Sequence, residues 1–142
     1  MNDKNLIKMA FEAKKLAYSP YSNFKVGAAL LTKAGQVYTG CNIESASYTP
    51  TNCAERTAFF KAISEGVREF EAIAVVGGLH DGPTDSCYPC GVCRQVMAEF
   101  CESNFRIIMV DKKNKIQAYT LAELLPHRFG PSSLKQEEFL ND

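Results

Sequence analysis

The sequence predicts an α/β protein in which helices pack on a five-stranded mixed β-sheet. Two nearly continuous apolar runs, FEAIAVVGG (70–78) and FRIIMV (105–110), are typical of strands buried on both faces. Stretches with apolar residues at helical spacing alternate with these runs. The resulting order of elements is α-β-β-α-β-α-β-β-α, and its two strand–helix–strand passages predict parallel neighbours joined by right-handed crossovers.

Capping and turn residues define where these elements begin and end. Asn2 can cap the first helix, and Gly35 takes the left-handed position in the turn between the first two strands. Thr51 or Asn52 can cap the second helix, which Gly66 ends. The predicted elements in chain order are a first helix that stops before Pro20, strands at 24–32 and 36–43, a helix at 54–65, a strand at 70–78, a helix at 91–102, strands at 105–110 and 116–120, and a short helix at 121–126.

Length and charge narrow the class of protein. The 142 residues predict a single domain, 1–142, with a polar and loose tail at about 130–142. Lys plus Arg equals Asp plus Glu at 16 each, and this balance argues against nucleic acid as a partner. No apolar run approaches the roughly 20 residues needed to span a bilayer, so we expect no membrane partner.

The start of the chain and its cysteines indicate a reducing compartment. The first residues, MNDKNLIKMAFEAKK, carry charges within their apolar stretch and do not form a signal peptide, so we expect a cytoplasmic location. Under reducing conditions, clustered thiols are more often metal ligands or redox groups than disulfides. Three of the six cysteines lie within CYPCGVC (87–93). Of the others, Cys41 is expected in the sheet and Cys101 in the core.

The starts of the second and third predicted helices both carry cysteines, namely Cys53, Cys90 and Cys93. Cys53 starts the second helix, the other two start the third, and the strand between them should set both N-termini at one end of the sheet. Helix N-termini stabilise thiolate, the form that binds metal, and thiolates in C-x-x-C spacing favour zinc. A catalytic zinc site uses three protein ligands, whereas a structural zinc site uses four. Cys87 is the candidate for such a fourth ligand. Pro89 favours Cys90 as the ordered ligand and leaves Cys87 near the rim.

Glu55 lies two residues after Cys53, on the first turn of the same helix. A glutamate there is common for local reasons, since it can complete a capping arrangement with Asn52. The combination of C-x-E with a later P-C-x-x-C favours a catalytic role, because this pair of motifs is typical of zinc deaminases in which the glutamate moves protons. Arg56 is placed to hydrogen-bond the thiolates, and Arg94 is expected on the surface or at an interface.

With these motifs the chain resembles the small cytidine deaminases. The resemblance runs from about residue 10 to residue 134 and departs from the family at Cys87-Tyr88, in a loop somewhat long for it. The segments that carry the resemblance are SPYS (19–22), FKVGAA (24–29), GCNIE (40–44), NCAERTA (52–58), PCGVCRQV (89–96) and ELLP (123–126).

The resemblance implies a three-layer fold and a homotetramer that removes the C4 amino group of cytidine or 2′-deoxycytidine as ammonia, in pyrimidine salvage. Asn42 and Glu44, two apart on a predicted strand, would share one face, as ribose binding requires. The roles that the resemblance implies are zinc ligation by Cys53, Cys90 and Cys93 with one ion per subunit, proton transfer by Glu55, support of the thiolates by Arg56, contacts to the base or sugar by Phe24, Asn42, Glu44 and the Ala54 backbone, and contacts lent by neighbouring subunits from Ala46, Tyr48 and Phe129.

Three alternatives stay open on the sequence alone. A deaminase acting on another aminated pyrimidine nucleoside, such as blasticidin S, would share the same motifs. A zinc-stabilised binding module would use Cys87 as a fourth ligand and would not need Glu55. A redox role for C-x-x-C is disfavoured because a thioredoxin-like fold places that motif after its first strand, and because a third thiol converges here.

Overall fold

The computed structural model describes residues 1–79, 81 and 85–135, and it has the predicted α/β architecture. Within these residues, five strands form one mixed sheet in the spatial order second, first, third, fourth and fifth strand. The elements are α1 (Asp3–Lys14), β1 (Lys25–Thr32), β2 (Val37–Cys41), α2 (Ala54–Ser64), β3 (Phe70–Gly78), α3 (Gly91–Phe100), β4 (Arg106–Val110), β5 (Ile116–Thr120), α4 (Leu121–Leu124) and a 3-10 turn (Pro131–Leu134).

Strand pairing corrects one expectation about the crossovers. β3 and β4 are parallel neighbours, as predicted for the passage through α3. The passage from β2 through α2 to β3 does not join neighbours, because β1 lies between these two strands and is antiparallel to both. The tight turn at Gly35, which has a φ of 92°, places β1 directly beside β2, so α2 must cross over β1 to reach β3.

The predicted boundaries of several elements are too long. β2 ends at Cys41 rather than at residue 43, because Ile43 pairs with Tyr18 and Asn52 instead of continuing the ladder with β1. The helices predicted to end at 65 and 102 end at Ser64 and Phe100. Asn2 caps α1 as predicted, since its side chain accepts a hydrogen bond from the backbone N–H of Asn5 at 2.8 Å.

The helices cover both faces of the sheet and create two apolar cores, which confirms the three-layer fold. α1 packs through Leu6, Ile7 and Ala10 against one face, while α2 and α3 pack against the other. On that second face the ring of Phe59 contacts Phe70 edge-on, with ring centroids 5.1 Å apart, and Phe105 at 6.0 Å. Aromatic pairs of this kind add to the free energy gained by burial, so this trio anchors α2 to the sheet.

The described part of the predicted tail, residues 130–135, contains a short helical turn. Gly130 is buried, and Pro131–Leu134 forms the 3-10 turn after it. The rest of the predicted tail, 136–142, lies outside the described residues. In the part of the chain that is described, no helix is both long enough and apolar enough to cross a bilayer.

We expect Phe59→Ala to lower the free energy of unfolding by about 3–5 kcal/mol, because the fully buried ring leaves a cavity among its aromatic neighbours. Urea denaturation at fixed protein concentration measures this change. Phe60→Ala is the matched control, since this ring on the same helix is 47% exposed and its loss should matter by less than about 0.5 kcal/mol. Equal effects of the two substitutions would contradict the assignment of Phe59 to the core.

Candidate active site

The N-termini of α2 and α3 meet at one edge of the sheet. β2 and β3 run in the same direction, and each leads through a loop into one of these helices. Gly40 allows β2 to approach α2 closely, because a Cβ there would lie 2.4 Å from the carbonyl oxygen of Ala54 and 2.6 Å from the backbone nitrogen of Ala58. Ligand sites of open α/β sheets lie at the carboxyl ends of their strands, which is where these helices begin.

Cys53 and Cys90 occupy the N-cap positions of α2 and α3. Among the described residues, neither side chain makes the cap hydrogen bond to its own helix that such a residue normally accepts. The expectation that Thr51 or Asn52 caps α2 is therefore wrong, and the Asn52 amide instead donates to Oγ1 of Thr57 at 3.1 Å. The sulfur atoms at both helix starts are left free to bind a metal.

The thiols of Cys53, Cys90 and Cys93 lie together, with all three Sγ atoms within 4.8 Å of one another. The Sγ atoms of Cys53 and Cys90 are 3.7 Å apart, too far for a disulfide. A tetrahedral zinc site with bonds of about 2.3 Å to sulfur has sulfur–sulfur edges of about 3.8 Å. The donor set and its spacing therefore fit zinc, and within the described residues Cys87 is outside this cluster.

Hydrogen bonds stabilise the thiolate of Cys53. Bonds from Cys93, Arg56 and Cys90, in decreasing order, lower the pKa of Cys53 to about 5 although burial opposes the shift. The hydrogen bond to Cys53, followed by burial, raises the pKa of Cys93, which is the donor of that pair. Nη2 of Arg56 lies 3.3 Å from Sγ of Cys53. The guanidinium of Arg56 and the neighbouring thiols thus favour the thiolate form of Cys53, the form that binds metal.

Glu55 is almost fully buried beside the cluster, with 4% of its surface exposed. Burial, with a smaller effect from the charge of Cys53, raises the pKa of its carboxyl to about 7. A group that gains and loses its proton close to neutral pH is suited to general acid–base catalysis. Its position on the first turn of α2, two residues after Cys53, places this carboxyl beside the three thiols.

Asn42 and Glu44 lie beyond the end of β2, so strand geometry alone does not place their side chains on one face. The Asn42 amide is tied to the start of β1, since Oδ1 accepts from the Val26 N–H and Nδ2 donates to the Phe24 carbonyl, both at 2.8 Å. The carboxylate of Glu44 accepts the hydroxyl and the N–H of Ser22 and the N–H of Tyr21. The Ser22 hydroxyl, followed by the two N–H groups, lowers the pKa of Glu44 although burial opposes the shift.

A cleft of about 430 Å³ opens beside Glu44 and is lined by Tyr21, Ser22, Glu44, Ser45, Tyr48 and Thr51. Tyr48 is 74% exposed and has a φ of 63°, a left-handed conformation that is uncommon for an aromatic residue. Phe129, which is 59% exposed, and the exposed Ala46 do not line this cleft. At the start of β1, Phe24 is exposed, and Ala54 is buried as the first residue of α2.

Cys87 is placed differently from its predicted position, and Arg94 makes contacts that the sequence did not predict. Cys87 is half-buried and packs against the core rather than lying at the rim. Arg94 is half-buried, and its guanidinium donates to the carbonyl oxygens of Pro89 at 2.8 Å and Leu124 at 2.7 Å, which ties the loop before α3 to α4. Ser22 is a residue that the sequence did not reveal as part of the site, because the Glu44 that it supports is 22 positions away.

Three thiols and a buried carboxyl at two helix starts define a zinc-dependent deaminase site. The family model described as "Cytidine and deoxycytidylate deaminase zinc-binding region" matches residues 1–109. A cytidine deaminase of Sporosarcina psychrophila is 50% identical over 134 residues, covering 94% of this chain and 96% of the relative. The crystal structure of the Burkholderia pseudomallei cytidine deaminase matches with 46% identity and a TM-score of 0.83, covering 91% of this chain and all of that one. The chain belongs to the cytidine deaminase family.

We expect Arg56→Ala to weaken zinc binding by about 10- to 100-fold, because the guanidinium that stabilises the Cys53 thiolate is lost. Competition with a chromophoric zinc chelator measures the affinity without reference to activity. Arg68→Ala is the matched control, since its guanidinium bonds only to the carbonyls of Ile63 and Val67 among the described residues. Unchanged affinity in the Arg56 variant would show that the thiolates do not depend on this cation.

Proposed function

We propose that the protein catalyses the zinc-dependent hydrolytic deamination of cytidine and 2′-deoxycytidine to uridine and 2′-deoxyuridine, with release of ammonia, in pyrimidine salvage. The observation that carries this proposal is the cluster of three thiols with Glu55 buried beside it. Three protein ligands leave a fourth tetrahedral position for a water, as a catalytic zinc site requires. In the described residues Cys87 does not complete a four-thiol set, which argues against a structural site.

Cys53, Cys90 and Cys93 would hold one zinc ion per subunit. Zinc in such a site lowers the pKa of a bound water towards about 7, which makes a nucleophile available at neutral pH. The protein's own contribution is to keep the sulfurs anionic. The helix N-termini at Cys53 and Cys90 and the guanidinium of Arg56 all favour negative charge at the cluster.

Glu55 would move the protons of the reaction. Its carboxylate accepts a proton from the water that attacks C4 of the cytosine ring. It delivers this proton to ring N3, then takes the proton of the new hydroxyl on C4 and passes it to the amino group, so that the C4 carbonyl forms, the C4–N bond breaks and ammonia leaves. Because the pKa of Glu55 is raised to about 7 by burial, the same group can act first as base and then as acid.

The nucleoside would bind between the metal cluster and the loop that follows β2. We assign the ribose hydroxyls to Asn42 and Glu44, the base or sugar face to Phe24, and the edge of the base to the Ala54 backbone. Support comes from the way these groups are held. Asn42 is fixed to β1 through both ends of its amide, and three donors fix the Glu44 carboxylate.

The protein would act as a cytoplasmic homotetramer whose subunits share active sites. Ala46, Tyr48 and Phe129 are the residues that we assign to neighbouring sites, and all three are exposed in the single chain. A reducing compartment suits six free cysteines, because thiols as close as those of Cys53 and Cys90 would become oxidised elsewhere.

The test of the function is the loss of ultraviolet absorbance from cytidine, with ammonia measured in parallel, in wild-type protein and in Glu55→Gln. We expect the wild type to deaminate cytidine and the variant to be slower by about 10²- to 10⁴-fold, because an amide cannot carry the proton. Zinc content should be equal in both. Wild-type protein that holds zinc and deaminates blasticidin S but not cytidine would contradict the assigned substrate.

Subunit mixing tests the shared active sites. In a mixed assembly, a Phe129→Ala subunit supplies an intact Glu55 and a neighbouring Glu55→Gln subunit supplies an intact Phe129, so some active sites are complete. Refolding the two variants together should therefore restore part of the wild-type activity. Native mass should be four times the 15.7 kDa of one chain. A monomeric native mass would contradict this arrangement. So would a mixture whose activity equals the summed activities of the two variants measured separately.

A further inference from the structure

The segment 85–88, which carries the departure from the family pattern, is fastened to β5 by its side chains. Asp85 forms an ion pair with Lys112 at 3.4 Å, just before β5, and the Ser86 hydroxyl donates to Gln117. Farther along, the ring of Tyr88 packs on that of Tyr119, with centroids 5.8 Å apart and hydroxyl oxygens at 3.3 Å. These contacts hold the backbone on both sides of Cys87.

Cys87 points the opposite way, into the sheet. A Cβ at Gly77 would lie 2.8 Å from its Sγ, 3.1 Å from Cε1 of Phe24 and 3.1 Å from Cγ2 of Val26. Gly77 lies in β3 and faces the same side of the sheet as Ile73 and Val75, which contribute to the core under α2 and α3. The thiol and the edge of the Phe24 ring therefore share the space that the missing side chain of Gly77 leaves, on the face of the sheet where the active site lies.

The Cys87 thiol is a small neutral group close to the reaction centre. Burial, with smaller effects from the charges of Glu55 and Cys53, raises its pKa to about 12, so it stays protonated at neutral pH. A buried neutral cysteine behaves as a small apolar side chain. Cys87 is thus a small apolar residue that lies beside Phe24 over Gly77.

The proposed reaction orients the pyrimidine ring relative to Cys87. C4 faces the three thiols, N3 faces Glu55, and the sugar on N1 faces Asn42 and Glu44. C5 is bonded to C4 on the side of the ring away from N3. The C5 edge is therefore turned from the start of α2 towards the opposite side of the site, which β1, β3 and the segment 85–88 form.

We propose that Cys87, seated over Gly77, forms the wall that faces C5 of the cytosine ring and that its size determines which 5-substituted cytosine nucleosides are accepted. This inference rests on the proposed function. Opening or filling such an apolar pocket by one heavy atom changes substrate discrimination by about tenfold or more.

The experiment measures kcat/KM for cytidine and for 5-methylcytidine and compares their ratio between variants. Cys87→Ala should raise the ratio of 5-methylcytidine to cytidine by about tenfold. Cys87→Val and Gly77→Ala each add atoms to the space around the Cys87 thiol and narrow the pocket, so they should lower the ratio by a similar factor. Cys87→Ser, with nearly the same shape, should keep it within about twofold.

Cys41→Ala is the matched control, because it makes the same chemical change in a half-buried cysteine that pairs with Gly27 on the face of the sheet covered by α1, and it should leave the ratio unchanged. Zinc content and unfolding midpoint identify the variants that have folded. Ratios within about twofold of wild type in folded Cys87→Ala, Cys87→Val and Gly77→Ala would overturn the inference while cytidine deamination stands. Absence of cytidine deamination in the wild type would overturn the proposed function itself.

Discussion

The site depends on the meeting of two helix N-termini at one edge of the sheet. Neither α2 nor α3 alone supplies enough sulfur for a metal site, and Cys53 and Cys90 come within 3.7 Å only because β2 and β3 run in the same direction on either side of β1. The close approach at Gly40 sets the height of α2 over the sheet. The strand order and the placement of the two helices therefore determine where the three thiols lie.

Charge is the main cost of this arrangement. Three thiolates around a divalent ion carry a net negative charge, which makes the ion a weaker Lewis acid than one bound by neutral ligands. The protein offsets the excess with partial positive charge from two helix starts and with the guanidinium of Arg56. Glu55 adds a further carboxyl, and its burial keeps that group near its titration point rather than permanently anionic.

Local patterns predicted the element order, the turn at Gly35 and the convergence of the thiols, because periodicity and capping are properties of short segments. They did not predict contacts between distant segments. The anchoring of Glu44 by Ser22, the bond from Arg94 to α4 and the inward direction of Cys87 all depend on partners 22 or more positions away or on another strand. The wrong cap for α2 has a related cause, since Cys53 takes the N-cap position so that its sulfur can face α3.

The cysteines at the N-caps have a consequence for local dynamics. In the described structure, α2 and α3 begin without the side-chain hydrogen bond that usually protects the first turn, a bond that contributes about 1 kcal/mol. Cys53, Cys90 and Cys93, when they hold a zinc ion, would take over that role, because they would join the two helix starts. Hydrogen exchange at these first turns should therefore report metal occupancy, and the two helices should fray together, as one cooperative unit, well before the sheet beneath them opens.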